Sequence, residues 1–155
     1  MNEQFTEWEV YVGRLIVSFG DIELLTFKLF ENWFTGVTTK NYSLEQRLNK
    51  LIDHVTRISD KDEKRDELKM LLIRSKQLKK FRNLVAHNPV VLKKYNESEY
   101  EDVVFDLRKK AEPISIEKLN ELSDEARSLA SELFIIVSQY TGRGIDQLIE
   151  CKLDS

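Results

Sequence analysis

Residues 68–90, LKMLLIRSKQLKKFRNLVAHNPV, decide how the rest of the chain is read. Leu68, Leu71, Leu72, Ser75, Leu78, Phe81 and Val85 recur at the three- and four-residue spacing that lines one face of an α-helix. The pattern runs to His87 and has a reason to stop there. Asn88 precedes Pro89, and a residue before proline is pushed out of the helical region. A long helix ended this sharply makes the middle of the chain helical and calls for a different kind of structure after residue 90.

Working outward, the same helical period governs both flanks. Trp8, Tyr11, Val12, Leu15, Ile16 and Phe19, continued by Ile22, Leu25, Leu29 and Trp33, predict one helix over about residues 4–34. Gly20 is its weak point, at about 1 kcal/mol relative to alanine. TGVTTKNY (35–42) reads as a loop, and Ser43 with Gln46 three residues on is a capping box that opens the next helix. Leu44, Leu48, Leu51, Ile52, Val55 and Ile58 supply its apolar stripe. The charged run SDKDEKRDE (59–67) reads as solvated surface, either a connection or the start of the third helix.

Beyond Pro89 the period changes. VVLKKY (90–95) and DVVFDLRKK (102–110) are short and rich in β-formers, with the polar NESEYE between them. They predict a small hairpin or flap inserted over about residues 90–112. Ser115 then caps a fourth helix carrying Leu119, Leu122, Ala126, Leu129, Leu133, Ile136, Val137 and Tyr140, which stops at TGRG (141–144). The tail IDQLIECKLDS (145–155) reads as a last short helix. The expectation is a single all-α domain, residues 1–155: an up-and-down four-helix bundle with a hairpin before its last long helix.

Composition narrows the function classes. The 155 residues carry 24 Lys and Arg against 27 Asp and Glu, a net charge of −3, so any grip on nucleic acid has to come from a local patch. One cysteine, Cys151, allows neither an intrachain disulfide nor a cysteine metal site, which fits a reducing cytoplasm. The N-terminus MNEQFTEWEV has no apolar signal core, and no apolar run reaches the roughly 18 residues of a membrane span. There is no glycine-rich phosphate loop, no nucleophile elbow and no zinc spacing.

The residues with most chemical content lie at the end of the third helix. Arg82 and His87 stand five apart, and Asn83 lies one turn before His87, where its amide can orient the imidazole. Arg74, Lys76, Lys79, Lys80 and Arg82 form a dense positive strip suited to a phosphate backbone. Five residues at about 100° each set Arg82 and His87 roughly 140° apart around a straight helix, so fraying, arginine's reach or a second copy has to bring them together. Arg47 and His54 share a similar spacing but sit mid-helix, and read as surface or half-buried helix residues.

RNLVAH (82–87), closing a long helix in a helical chain of this length, resembles the HEPN (higher eukaryotes and prokaryotes nucleotide-binding) superfamily, whose signature is Arg, a polar residue, and His after four to six positions. The resemblance implies a metal-independent endoribonuclease needing no cofactor, often a toxin of a toxin–antitoxin or phage-defence system. It also implies a homodimer with the motifs of two chains meeting, RNA as substrate, and an antitoxin protein as partner. Carried onto this chain, Arg82 stabilises the five-coordinate phosphate, His87 is the general base or acid, and Asn83 positions the histidine or a phosphate oxygen. Lys76, Lys79 and Lys80 would bind RNA phosphates.

Two other readings compete. One is a non-catalytic HEPN-like nucleotide-binding or protein-interaction module. The other is a metal-dependent all-α nucleotide pyrophosphohydrolase, which needs four converging carboxylates. Glu63 with Asp66 and Glu121 with Asp124 have one-turn spacing for that, but both pairs sit in charged segments that read as solvated.

Overall fold

Four α-helices, a short 3-10 helix at Thr39–Asn41 and one hairpin account for the described secondary structure. The computed structural model describes residues 3–58, 63–88, 90–94, 96, 98–104 and 112–142. Helix α1 spans Glu3–Trp33, α2 Leu44–Arg57, α3 Glu63–His87 and α4 Ile116–Thr141. Strands β1 (Val90–Lys94) and β2 (Tyr100–Val104) form the only sheet among the described residues. The all-α class expected from the periodicity is therefore present. None of the described helices is long and apolar enough to cross a membrane. The short helix expected in the tail falls outside the described residues.

The helix boundaries follow from local chemistry. Ser43 accepts from the Gln46 backbone N–H while the Gln46 side chain accepts from the Ser43 N–H, closing the capping box that starts α2. At α4, the Lys118 N–H donates to Ser115 Oγ at 3.3 Å. The Glu117 carboxyl is held below its ordinary range by a backbone hydrogen bond and by the Ser115 hydroxyl. At the end of α3, where Pro89 cannot donate, the Asn88 side-chain amide donates to the Leu84 carbonyl at 2.8 Å and prolongs the ladder by one bond.

The chain forms two compact units: Met1–Gly20 with Gln77–Ser128, and Asp21–Lys76 with Leu129–Ser155. In the first unit, Trp8, Leu15 and Phe19 of α1, Leu78 and Val85 of α3, and Leu119, Leu122 and Ala126 of α4 are buried. The hairpin pairs antiparallel from Val90 opposite Val104 to Lys94 opposite Tyr100. Asn96 Oδ1 accepts from the backbone N–H groups of Ser98 and Glu99 and so shapes its turn. Val104 exchanges two 2.9 Å backbone bonds with Ile114, and Val103, Val104 and Ile114 are buried, which ties the hairpin to the start of α4. Phe81, expected on the buried stripe, is 37% exposed. The face that α3 buries here runs through Leu78 and Val85, and Phe81 lies at its margin.

The second unit is a ring of four helix contacts. Trp33 of α1 meets His54 of α2, Asn49 of α2 meets Lys76 of α3, Arg74 of α3 meets Glu132 of α4, and Tyr140 of α4 meets Trp33 again. Its core includes Ile22, Leu25, Leu29, Phe30, Leu48, Leu51, Leu68, Leu72, Leu129 and Leu133. Buried Thr26 and Ser75 bond back to Ile22 and Leu71, so neither hydroxyl is stranded. Helices α2 and α3 form a hairpin, Arg65 reaching the Ile58 carbonyl while Lys76 reaches Asn49. The connection from α1 to α2 is different. Arg47 lies over Phe27 and His54 beside Trp33, so the contacts advance in the same sense along both helices. The segment 34–43, with Gly36 at φ 83°, brings Tyr42 back to 5.4 Å from Phe30 of α1 before α2 begins.

Candidate functional site

The site proposed from sequence lies in the first unit, on an α3 that stays helical through His87. Arg82 is half-buried, with its guanidinium carbon 5.1 Å from the centre of the Phe19 ring and Nη1 donating to Asn83 Oδ1 at 2.9 Å. Phe19 is fully buried, so the guanidinium rests on an immobile aromatic face. Both contacts help to fix its position.

Asn83 is half-buried and turns its carbonyl oxygen to Arg82 rather than its amide to His87. Among the described residues its NH2 group makes no hydrogen bond, and neither does the exposed His87 imidazole. The structure brings Arg82 and Asn83 together and leaves His87 apart. With α3 unbroken, the directions of Arg82 and His87 stay roughly 140° apart. One chain alone does not aim both groups at one atom.

The basic strip also divides. Lys79, Lys80, Asn83 and His87 share one face of α3 at three- and four-residue spacing, with Lys80 and His87 exposed and Lys79 half-buried and engaged. Arg82 lies off that face, toward Phe19. Lys76 and Arg74 belong to the second unit. Lys76 donates to Asn49 Oδ1 at 2.7 Å, and Arg74 is 3.2 Å from Glu132. Of the three lysines singled out from sequence, Lys80 is the exposed one.

Arg47 and His54 are both half-buried, as their position predicted. Arg47 donates to the Tyr42 carbonyl at 2.8 Å, and its buried Nε has no hydrogen-bond partner among the described residues. His54 packs 4.9 Å from Trp33 and 5.3 Å from Phe34. This pair is occupied with packing.

The carboxylates weighed for metal chemistry are dispersed. Glu121 pairs with Lys118 at 2.8 Å, and Asp124 pairs with Arg14 at 3.2 Å and Arg127 at 3.7 Å. Glu63 and Asp66 are exposed in the first turn of α3. Among the described residues, no three His, Cys, Asp or Glu side chains come together as a metal site would require.

Periodicity alone missed Phe19 as the support of Arg82. It marks Phe19 as core, and a ring beneath a guanidinium some sixty residues away leaves no local signal. Compared with family models, curated proteins and solved structures, the chain matches none.

Proposed function

We propose that the chain is a metal-independent endoribonuclease of the HEPN kind, acting as a homodimer at Arg82 and His87. The observation that carries this reading is the end of α3. A guanidinium fixed by Phe19 and Asn83 and an exposed imidazole lie within six residues, on a helix whose exposed face also bears Lys80. In the reaction, a ribose 2′-hydroxyl attacks the adjacent phosphorus and gives up its proton, and the P–O5′ bond breaks. A 2′,3′-cyclic phosphate and a protonated 5′-oxygen result. His87 takes or returns a proton. Arg82 stabilises the charge on the five-coordinate phosphate, and the Asn83 NH2 offers a donor to a phosphate oxygen. Because Arg82 and His87 diverge on one helix, each phosphate is held by Arg82 of one copy and His87 of the other. Lys80, with Lys79 on the same face of α3, supplies the phosphate-backbone contacts. A toxin or phage-defence role with an antitoxin protein as partner belongs to the same proposal.

The test is RNA cleavage in EDTA by the wild type and by His87→Ala. EDTA-resistant cutting that disappears in the variant is the expected result. No cutting by a well-folded wild type would favour the non-catalytic module, a reading that the half-buried, internally bonded Arg82 also accommodates. Magnesium-dependent release of pyrophosphate from a nucleotide would favour the third class, for which the dispersed carboxylates offer no support.

A further inference from the structure

In the second unit, one flank of α2 interleaves basic side chains with aromatic rings. Arg47, Lys50, His54 and Arg57 are spaced 3, 4 and 3 apart, which sets them within about 80° of one another along about 15 Å of helix. The first three each rest on a ring. The Arg47 guanidinium carbon is 5.7 Å from the centre of Phe27, and Lys50 Nζ is 5.1 Å from that of Tyr42. The packing of His54 against Trp33 and Phe34 continues the same line. Phe30, fully buried, joins Phe34 to Tyr42 at 4.6 and 5.4 Å. The rings that touch the basic groups are only half-buried.

This line lacks counter-charges. Arg14, Arg74, Lys118 and Arg127 each pair with a carboxylate, as a chain with more acidic than basic residues readily allows. Among the described residues, Arg47, Lys50 and Arg57 pair with none, although the exposed Asp53 lies one turn from both Lys50 and Arg57. Packing does not explain a guanidinium at position 47 either. Its Nε is buried without a hydrogen-bond partner among the described residues, a loss that a methionine resting on Phe27 would avoid. A cation held under those conditions, in line with two more that no carboxylate balances, calls for an anion from outside the chain.

We propose that this flank binds single-stranded nucleic acid, with phosphates along Arg47, Lys50 and Arg57 and bases against the half-buried rings of Trp33, Phe34 and Tyr42. An unpaired strand is the ligand that uses both kinds of group, since every base has a face to stack and every step carries a negative charge. A duplex hides the faces of its bases, and an acidic peptide would engage the cations alone. Arg82, Asn83, His87 and Lys80 take no part, so the surface stands whether or not the chain cleaves RNA.

Fluorescence anisotropy of a labelled twelve-nucleotide oligo(dT) with the full wild-type chain tests it. The probe has no 2′-hydroxyl, so the chemistry proposed for Arg82 and His87 cannot destroy it. Binding is expected at about 10 μM near physiological salt. Lys50→Gln/Arg57→Gln changes two exposed side chains and should weaken binding at least about tenfold. It should also flatten the slope of log affinity against log salt by about 1.4. An abasic strand of the same length and charge should bind the wild type at least about tenfold more weakly than oligo(dT). No binding at about 200 μM overturns the proposal, as does unchanged binding by a double variant whose helical circular dichroism is intact. Loss of binding in Lys80→Gln but not in the double variant would assign the contact to α3 and overturns it too. Should the double variant misfold, the abasic comparison decides on the wild type alone, and equal affinity for the two strands overturns it.

Discussion

Replacing Phe19 by leucine and Arg82 by methionine, singly and together, isolates the contact on which the site geometry rests. Phe19 is fully buried, and its ring centre lies 5.1 Å from the Arg82 guanidinium carbon. Phe19→Leu keeps an apolar side chain of nearly the same size and should cost about 1–2 kcal/mol. Arg82→Met keeps the apolar stem but removes the charge and the bond to Asn83 Oδ1, at about 1 kcal/mol. If the guanidinium rests on the ring, the costs are not additive. The double variant should be less destabilised than the sum by about 0.5–1 kcal/mol, the range for a partly exposed cation–π contact. Urea denaturation of the four proteins at one fixed concentration gives the cycle. A coupling below about 0.3 kcal/mol, the level at which independent sites already add, would refute the claim that Phe19 holds Arg82.

Three further predictions address the scaffold. Ser43→Ala removes the hydroxyl half of the α2 capping box and should lower stability by about 1 kcal/mol in the same denaturation assay. Gly36→Ala forces a side chain into φ 83° at the turn after α1 and should cost about 1 kcal/mol, read as a lower thermal midpoint. The Glu117 carboxyl has its pKa lowered by its backbone and Ser115 hydrogen bonds. Its small contribution is therefore present above the ordinary carboxylate range and lost as pH falls through the depressed value. Denaturation midpoints of wild type and Glu117→Gln should accordingly converge at low pH and separate slightly at neutral pH.

Much of the fold was legible because its signals are local. The Ser43–Gln46 box, the Ser115 cap, the stop at Asn88–Pro89 and the shift to β-formers after Val90 each act within a few residues, and each lies where the sequence put it. Ser75 fitted the buried stripe despite its hydroxyl because a helix offers it the Leu71 carbonyl. The return of residues 34–43 along α1 was not legible, since a polar loop reads alike whether it reverses direction or doubles back. At the candidate site, the residue types and the helix end could be read. That Asn83 bonds to Arg82 rather than turning to His87 depends on side-chain rotamers, which spacing does not specify.

The central claim is that Arg82 of one copy and His87 of another serve a single phosphate, and mixing two damaged chains tests it most directly. Arg82→Ala and His87→Ala proteins are each assayed for RNA cleavage in EDTA, then unfolded together at equal amounts, refolded and assayed again. Each alone should be inactive. In the mixture half the dimers are mixed, and one of the two sites in each of those is whole, so activity should return to about one quarter of the wild type. A mixture as inactive as its components, from a wild type that does cleave, would contradict the account.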